Sequence, residues 1–450
     1  MAFLAKLSEP LLTAWALVAN TWWLWVPLLL GYAGWQLWKY YLKSRYFVNL
    51  RWMLLEVKIP RDISKTPEAM EQIFSALQTM YWEFDPLEKY WEGLQHDYLV
   101  FELASMGGET RFYVRLPVFY RNMVEAQIYA QYPEAEIAEV ADYLDQLPAV
   151  VPDGEWDIFG IEFALAKEDA YPIRTYRDIL SLTPGQEEFI KVDPLSSMLE
   201  LLGRIGPGEH MGYHLLLRPA QDPTPQAWRE EGERLVAKLI GKQEPARKGA
   251  FASFLEPLEP VYKGWGEPLR PLFGLGPVEA APRAEKKREE PAGSSMMLHL
   301  SPGTRDIVAA IEKNILKPGF EVVVRFCYVA RRDQFVLSHL NSFIGALKTY
   351  NTQTLNAFKF SGKTMATKTP WWWPKFAKRR KKLHKQKLFY QYYRARKPFT
   401  DTWSLQSKPI ILNSEELATI YHYPTMTTKA PLLPRIEAKK SEPPAALPVG

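Results

Sequence analysis

The residues of this chain best suited to chemistry are cations. Between Lys375 and Lys397 stand eleven Lys/Arg and no Asp or Glu, preceded by three consecutive tryptophans, Trp371, Trp372 and Trp373. Lys375, Lys378, Arg379, Arg380, Lys381, Lys382, Lys385 and Lys387 form a cluster that repels itself unless it is solvated or paired with anions. Three surroundings fit it. Phosphates of DNA or RNA would be neutralised by these side chains, with Phe389, Tyr390, Tyr392 and Tyr393 available to stack on bases. An anionic lipid leaflet would attract each cation by about 1 kcal/mol, with Trp371–Trp373 seated among the headgroups. The third is water, or the acidic face of another protein. Charge density alone does not choose among them.

Other reactive residue types fall short of a site. "FSGKT" (Phe360–Thr364) has the end of a phosphate-binding loop, but Ala357 stands where that loop needs its first glycine. "HMGYH" sets His210 and His214 four apart, yet it lacks the glutamate of the zinc-protease signature and runs into the strand-like "LLLRP". Cys327, the single cysteine, lies in the apolar run "FEVVVRFCYV", which excludes an intrachain disulfide and favours a buried strand residue. Glu230, Glu231 and Glu233 read as the solvated face of a charged helix. The expectation is therefore no catalytic, cofactor-binding or metal-binding residue, and no enzyme.

The elements that position the cations begin at a membrane. From Pro10 to Trp38 there is no charged residue, more than the roughly 20 residues a helix needs to cross a bilayer. Pro27 and Gly31 are tolerated in such a helix, and Trp35, Trp38, Tyr40 and Tyr41 suit an interfacial belt. The run is too long, and too poor in positive charge at its start, for a cleaved signal peptide. Lys39, Lys43, Arg45 and Arg51 follow the span whereas Lys6 alone precedes it, so the N-terminus is expected outside and the bulk in the cytoplasm, on a bacterial inner membrane. The charge is also asymmetric. Residues 371–450 hold 16 Lys/Arg against 5 Asp/Glu, and the first 370 hold 40 against 46.

The body reads as α+β. A strand ("NLRWMLLEVKIPRDI"), a helix ("TPEAMEQIFSALQTMYW"), a hairpin turning at Gly107-Gly108, a second helix and the short strand "AEIAEV" follow the split βαβ order of ferredoxin-like domains. A similar order recurs through "WDIFGIEFALAKE", "GYHLLLRPA", "FEVVVRFCYVAR", "DQFVLSHLNSFIGALKTY" and "TLNAFKF". The expected organisation is an N-terminal segment (1–46) with a transmembrane helix at about 11–38, then modules at 47–150 and 151–368. The second module holds a disordered insertion at about 268–297, rich in Pro, Ala and charge. A basic-aromatic segment (369–399) and an extended docking or linking tail (400–450) complete it.

Three stretches resemble a known family: "VKIPRDISKTPEAMEQIFSAL", "RFYVRLPVFYRNMVEAQIYAQYPEAEIAEV", and "ILNSEELATIYHYP" with "APLLPRIEAKKSEPPAALP". They are similar to membrane-anchored bacterial proteins of unknown function found beside type IV secretion or HerA-like ATPases, some fused to such an ATPase. The resemblance implies an accessory component of a conjugation-like DNA or protein transfer system. Its modules would form a cytoplasmic platform, a homo-oligomeric ring, that docks a separate ATPase, since this chain has no Walker A motif. Residues 408–436 would be the docking or linking strand. The alternative is a membrane-associated nucleic-acid binder using the 375–397 cluster.

Overall fold

Strands in this chain alternate between two covered faces, and that alternation sets the architecture. The computed structural model describes residues 20–60, 65–181, 193–220, 227–241, 300–361, 374–397 and 409–424. Helix α1 (Trp22–Asn49) enters β1 (Trp52–Lys58), α2 (Glu68–Leu77), β2 (Leu99–Met106), β3 (Glu109–Pro117), α3 (Arg121–Gln131) and β4 (Glu136–Glu139). Next come β5 (Trp156–Leu165), α4 (Tyr176–Ser181), α5 (Ser196–Gly203), β6 (Glu209–Pro219), α6 (Ala227–Ile240) and α7 (Pro302–Ile315). The chain continues through β7 (Gly319–Arg331), α8 (Ser338–Leu347), β8 (Phe358–Phe360), α9 (Lys375–Ala395), β9 (Ile410–Asn413) and α10 (Ser414–Ile420).

The strands form one mixed α+β assembly around a nine-stranded antiparallel sheet, ordered β4-β1-β3-β2-β6-β7-β5-β8, with β9 beside the start of β7. The first four strands lie in the order 4-1-3-2. Read from the opposite edge, β8-β5-β7-β6 repeats it. The halves join through their second strands, whose register runs from Leu99↔Leu217 to Met106↔His210. Neither central edge is left unpaired, which removes two sites of edge-to-edge aggregation. Strand β7 is long enough to pair with β5 from Arg325 to Arg331 and with β9 from Gly319 to Val322.

Odd-numbered residues of β2 and β6, such as Phe101, Leu103, Met211 and Tyr213, and even-numbered residues of β7, such as Phe326, face a largely apolar core beneath α2, α3, α5, α8 and α10. The even-numbered or opposite positions face a second layer made by residues 143–151 and the C-terminal half of α9. Two glycines on that face admit the helix. A Cβ at Gly160 would lie 2.0 Å from Phe389 Cε1, and one at Gly212 would lie 1.7 Å from the Tyr393 hydroxyl. Glycine inside a strand here marks where another side chain approaches the backbone closely.

The order of elements agrees with the sequence reading, but the tail does not. Residues 410–423, expected in a docking or linking strand, are core. Ile410 and Leu412 are buried in β9, and every residue of α10 is buried. Asn413 and Glu416 form a reciprocal capping box, and Tyr421 and Tyr423 pack edge-on against Phe112. Residues 425–450, the insertion at about 268–297, Trp371–Trp373 and the lysine of "FSGKT" lie outside the described residues. Among the described residues no helix is long and apolar enough to cross a membrane. The expected span begins outside them, and its described part is the first half of α1, where Trp22, Trp23, Leu24, Leu28, Leu29, Leu30 and Tyr32 are exposed.

Gly212→Ala should lift α9 from the sheet by displacing Tyr393. Limited trypsin digestion read by mass spectrometry is expected to show accelerated cleavage after Arg394 and Arg396. Protection equal to the parent protein would refute the close-approach role of Gly212.

Candidate anion-binding interface

Helix α9 is built from strong helix formers, with no glycine, proline or β-branched residue between Lys375 and Ala395. Its two halves differ. Gln386, Phe389, Tyr390 and Tyr393 recur at helical spacing and are buried. Residues 375–385 contain no buried side chain. Lys375, Arg379, Arg380, Lys382 and Lys387 are exposed, and Lys378, Lys381 and Lys385 are partly covered. Like charges four apart, at Lys375/Arg379, Lys378/Lys382 and Lys381/Lys385, oppose helix formation by a few tenths of a kcal/mol each. Partial burial, and then Lys381, lower the affinity of Lys385 for its proton. Cations in the first turn also meet the positive end of the helix dipole, and no acidic residue offsets them there. This end of the helix favours an anion on both counts.

The C-terminal half is fixed by charge. The helix ends at Arg396, a left-handed residue with φ of 48°, a conformation that costs a non-glycine side chain on the order of 1 kcal/mol. Its guanidinium donates to Glu102 Oε1 at 2.8 Å, to Glu102 Oε2 at 3.1 Å and to Asp142 Oδ1 at 2.9 Å. Although burial pushes the Asp142 carboxyl up, hydrogen bonds and charge from Arg396 hold it below its ordinary value. Arg325, itself paired with Glu162 at 2.6 Å, donates to the carbonyls of Tyr392 (3.1 Å) and Lys397 (2.9 Å). Arg115 reaches the Ala395 carbonyl at 3.2 Å. Orphan carbonyls at the helix end are thus met by cations, as the dipole prefers.

Two histidines lie under this lid. His210 Nδ1 donates to the Ser105 carbonyl at 3.0 Å and its Nε2 accepts from the Tyr393 hydroxyl at 2.7 Å. The Tyr143 hydroxyl donates to Glu102 at 2.7 Å, so His214 Nε2, 2.8 Å from the same oxygen, is its donor. His214 Nδ1 is then an acceptor with no partner. Burial pushes the His210 imidazole down to about 4. Burial, followed by Arg396 and Arg325, pushes His214 well below its ordinary value. Both rings are neutral near pH 7. Glu102, Tyr143, both histidines and Cys327 carry reactive atom types, but all are buried and used in packing. Among the described residues no cluster of His, Cys, Asp or Glu is placed to hold a metal ion.

The expectation that Phe389, Tyr390 and Tyr393 stack on bases is corrected: all three are buried against the sheet, because the glycines and Pro148 give them pockets there. Tyr392 is half-buried. The interfacial set on α1 is exposed, with Trp38 donating to the Tyr90 carbonyl at 3.0 Å. Sequence reading missed Glu102, Asp142, Tyr143 and Arg396 as a unit. The available signal was the period-two placement of His210, Gly212 and His214 on one face of β6.

Direction matters as well as charge. Gln386 bonds to the Ile158 carbonyl on β5 at 2.9 Å, Phe389 lies over Gly160, Tyr393 lies over Gly212 on β6, and Arg396 meets Glu102 on β2. The helix crosses the sheet diagonally and, as it does so, nears the strand ends by α1, where Arg115 stacks over Trp52 at 4.8 Å. Its basic first half therefore extends back past β5, away from the junction with α1. No protein-family model matches the chain, and no curated protein matches it.

Arg396→Met should leave Glu102 buried without its cation and destabilise the fold by about 3–5 kcal/mol. The double variant with Glu102→Leu should recover much of that loss in chaotrope unfolding. An additive double variant would refute the coupling. Acid should loosen the same layer. The unfolded chain takes up a histidine proton near pH 6.5 but folded His210 only near 4, so the stability that neutral His210 contributes is full above about 6.5 and falls as pH drops through that window. The slope should be about 1.4 kcal/mol per pH unit for each such histidine. Unfolding curves between pH 4.5 and 8 test this. A His210→Gln variant with an unchanged slope would overturn it.

Proposed function

We propose that the chain is a non-enzymatic, membrane-tethered platform of a type IV secretion-like transfer system, and that the basic half of α9 is its polyanion-binding arm. The observation that carries this reading is the division of α9. One half is locked to the sheet by buried charge pairs, and the other presents Lys375, Arg379, Arg380 and Lys382 to solvent. A rigidly held basic helix binds phosphates without first being ordered, which lowers the entropic cost of association. Its direction favours nucleic acid over lipid, because the cations extend away from the end of the sheet that α1 enters.

The platform role rests on the family resemblance and on how the resembling stretches assemble. The described residues of 57–77, 111–140 and 411–424 meet on one face: α10 packs on α2, α2 packs on α3, and Tyr423 meets Tyr132 and Phe112. We read each half as a ferredoxin-like module on the strength of the shared strand order. The anchor, the N-out orientation and the inner-membrane location follow from the uncharged run Pro10–Trp38 and the basic residues after it. The ATPase would be a separate chain, and a ring of copies would give it a symmetric docking surface.

Changing Lys375, Arg379, Arg380 and Lys382 together to Gln should weaken DNA binding by the detergent-solubilised full chain at least tenfold. It should also reduce the slope of log affinity against log salt by about 3. Unchanged affinity and slope would sink the polyanion reading. Failure of the parent chain to co-purify, in mild detergent, with any ATPase from its own cells would count against the platform.

A further inference from the structure

The loop between α2 and β2 is an unusual neighbour for α1. Residues Glu88–Glu92 form a single π-helical turn that ends at Gly93, whose φ of 79° lets the backbone close onto Leu42 of α1. Leu42 is the buried residue of that helix. Around it, Trp35 packs on Tyr90 (5.5 Å between ring centres), Trp38 on Trp91 (6.2 Å), and the Trp38 indole donates to the Tyr90 carbonyl. Further on, Tyr46 donates to Asp97 at 2.9 Å. The loop is thus clamped to α1 along several turns. Yet its large apolar side chains point outward: Trp82 and Leu87 are each 68% exposed and Trp91 is 72% exposed.

Nothing in polar solvent explains a loop that spends two tryptophans and a leucine on its outside beside an uncovered apolar helix. The length of the uncharged run does. The run is long enough to span the hydrocarbon, which needs about 20 residues, and it ends at Trp38 with Lys39 following. The boundary of a bilayer crossed by it therefore lies no further along than Trp38, and Trp35 and Trp38 suit that boundary. The loop sits at that level. Tryptophan and tyrosine are the side chains that prefer this boundary, with an apolar ring and a polar edge.

We propose that Trp82, Leu87, Tyr90 and Trp91 form an interfacial collar that inserts into the headgroup region beside α1, fixing how the cytoplasmic body sits on the bilayer. The proposal rests on the membrane anchorage proposed above. Glu83, Asp85, Glu88 and Glu92 outnumber Lys89 in the loop. Attachment therefore depends on ring insertion and not on anionic lipid, and the collar engages phosphatidylcholine as well as a mixture with phosphatidylglycerol. Two membrane contacts at one point restrain tilt of the body in a way that a lone helix does not.

The test uses the full chain in vesicles of pure phosphatidylcholine, with Cys327→Ala and an environment-sensitive fluorophore on a new cysteine at Trp91 or, separately, at Leu28. The expected result at Trp91→Cys is blue-shifted emission, quenched by lipids nitroxide-labelled near the headgroup and less by those labelled deep in the chain. Leu28→Cys should be quenched most by the deep label. Water-like emission at position 91 with deep quenching at 28 overturns the collar and leaves the anchor standing. Water-like emission at both overturns the anchor as well. Blue-shifted emission at 91 without quenching by any lipid label overturns the collar in favour of a protein contact between copies.

Discussion

Glu102 and Glu162 lie on the second face of the central sheet, removed from water, and the structure is arranged around their need for cations. An isolated buried carboxylate is costly by several kcal/mol, and the cost is offset only by a partner with good geometry. Arg396 meets Glu102 and Arg325 meets Glu162, both by charge-assisted hydrogen bonds. Both arginines also belong to the end of α9, one as its last turn and one as the donor to its carbonyls. The helix is therefore part of the solution to a charge problem set by the strands. Such pairs add little to net stability compared with an apolar layer, but they permit one register. Sliding α9 by a turn would take Arg396 from Glu102 and Asp142, while Arg325, held on β7 by Glu162, would lose the carbonyls it caps.

This division of labour explains why one helix can be both core and arm. The apolar face of the sheet takes the ordinary task of burying surface, with Phe74, Phe101, Phe326 and Phe343 among its large rings. The polar face supplies position. Gly160 and Gly212 set how closely α9 approaches, Tyr390 donates to the Pro148 carbonyl at 2.6 Å, and Arg394 reaches Asp145 at 3.1 Å. Over about ten residues the helix gains enough contacts to hold a further three turns that make none in the core. Those turns are poor helix on their own, given their repeated like charges, and they depend on propagation from the anchored half.

Much of the fold is legible in the sequence because strand alternation and helix period are local. The hairpin at Gly107-Gly108, the helix at Glu68–Leu77 and the succession of strands and helices in the first half follow from spacing. The tail was misread for the opposite reason. In "ILNSEELATI" the polar residues look solvated, but their partners are far away in the chain. Glu416 accepts from the Ile173 amide and Thr419 from the Tyr176 amide, each 243 residues distant, while Glu415 pairs with Lys317. The capping box alone was visible locally. The same holds for the cation cluster: Arg394 and Arg396 read as more surface charge until Asp145, Asp142 and Glu102 are brought to them by the fold.

The two apolar-to-polar contrasts of the molecule, α1 and α9, are connected by a short chain of contacts. Phe47 of α1 packs on Tyr98, Tyr98 on Trp52, and Trp52 under Arg115, which donates to the Ala395 carbonyl at the end of α9. Each link is a ring contact or a charge-assisted bond in a partly buried setting, and burial weakens competition from water. A change in the angle at which α1 leaves the body would act first on Phe47 and Trp52, and through Arg115 on the end of α9. The link is stiff at its α9 end, because Arg325 and Arg396 fix the same turn independently. The direction of the basic half of α9 is thus set by the sheet and not by the angle of α1.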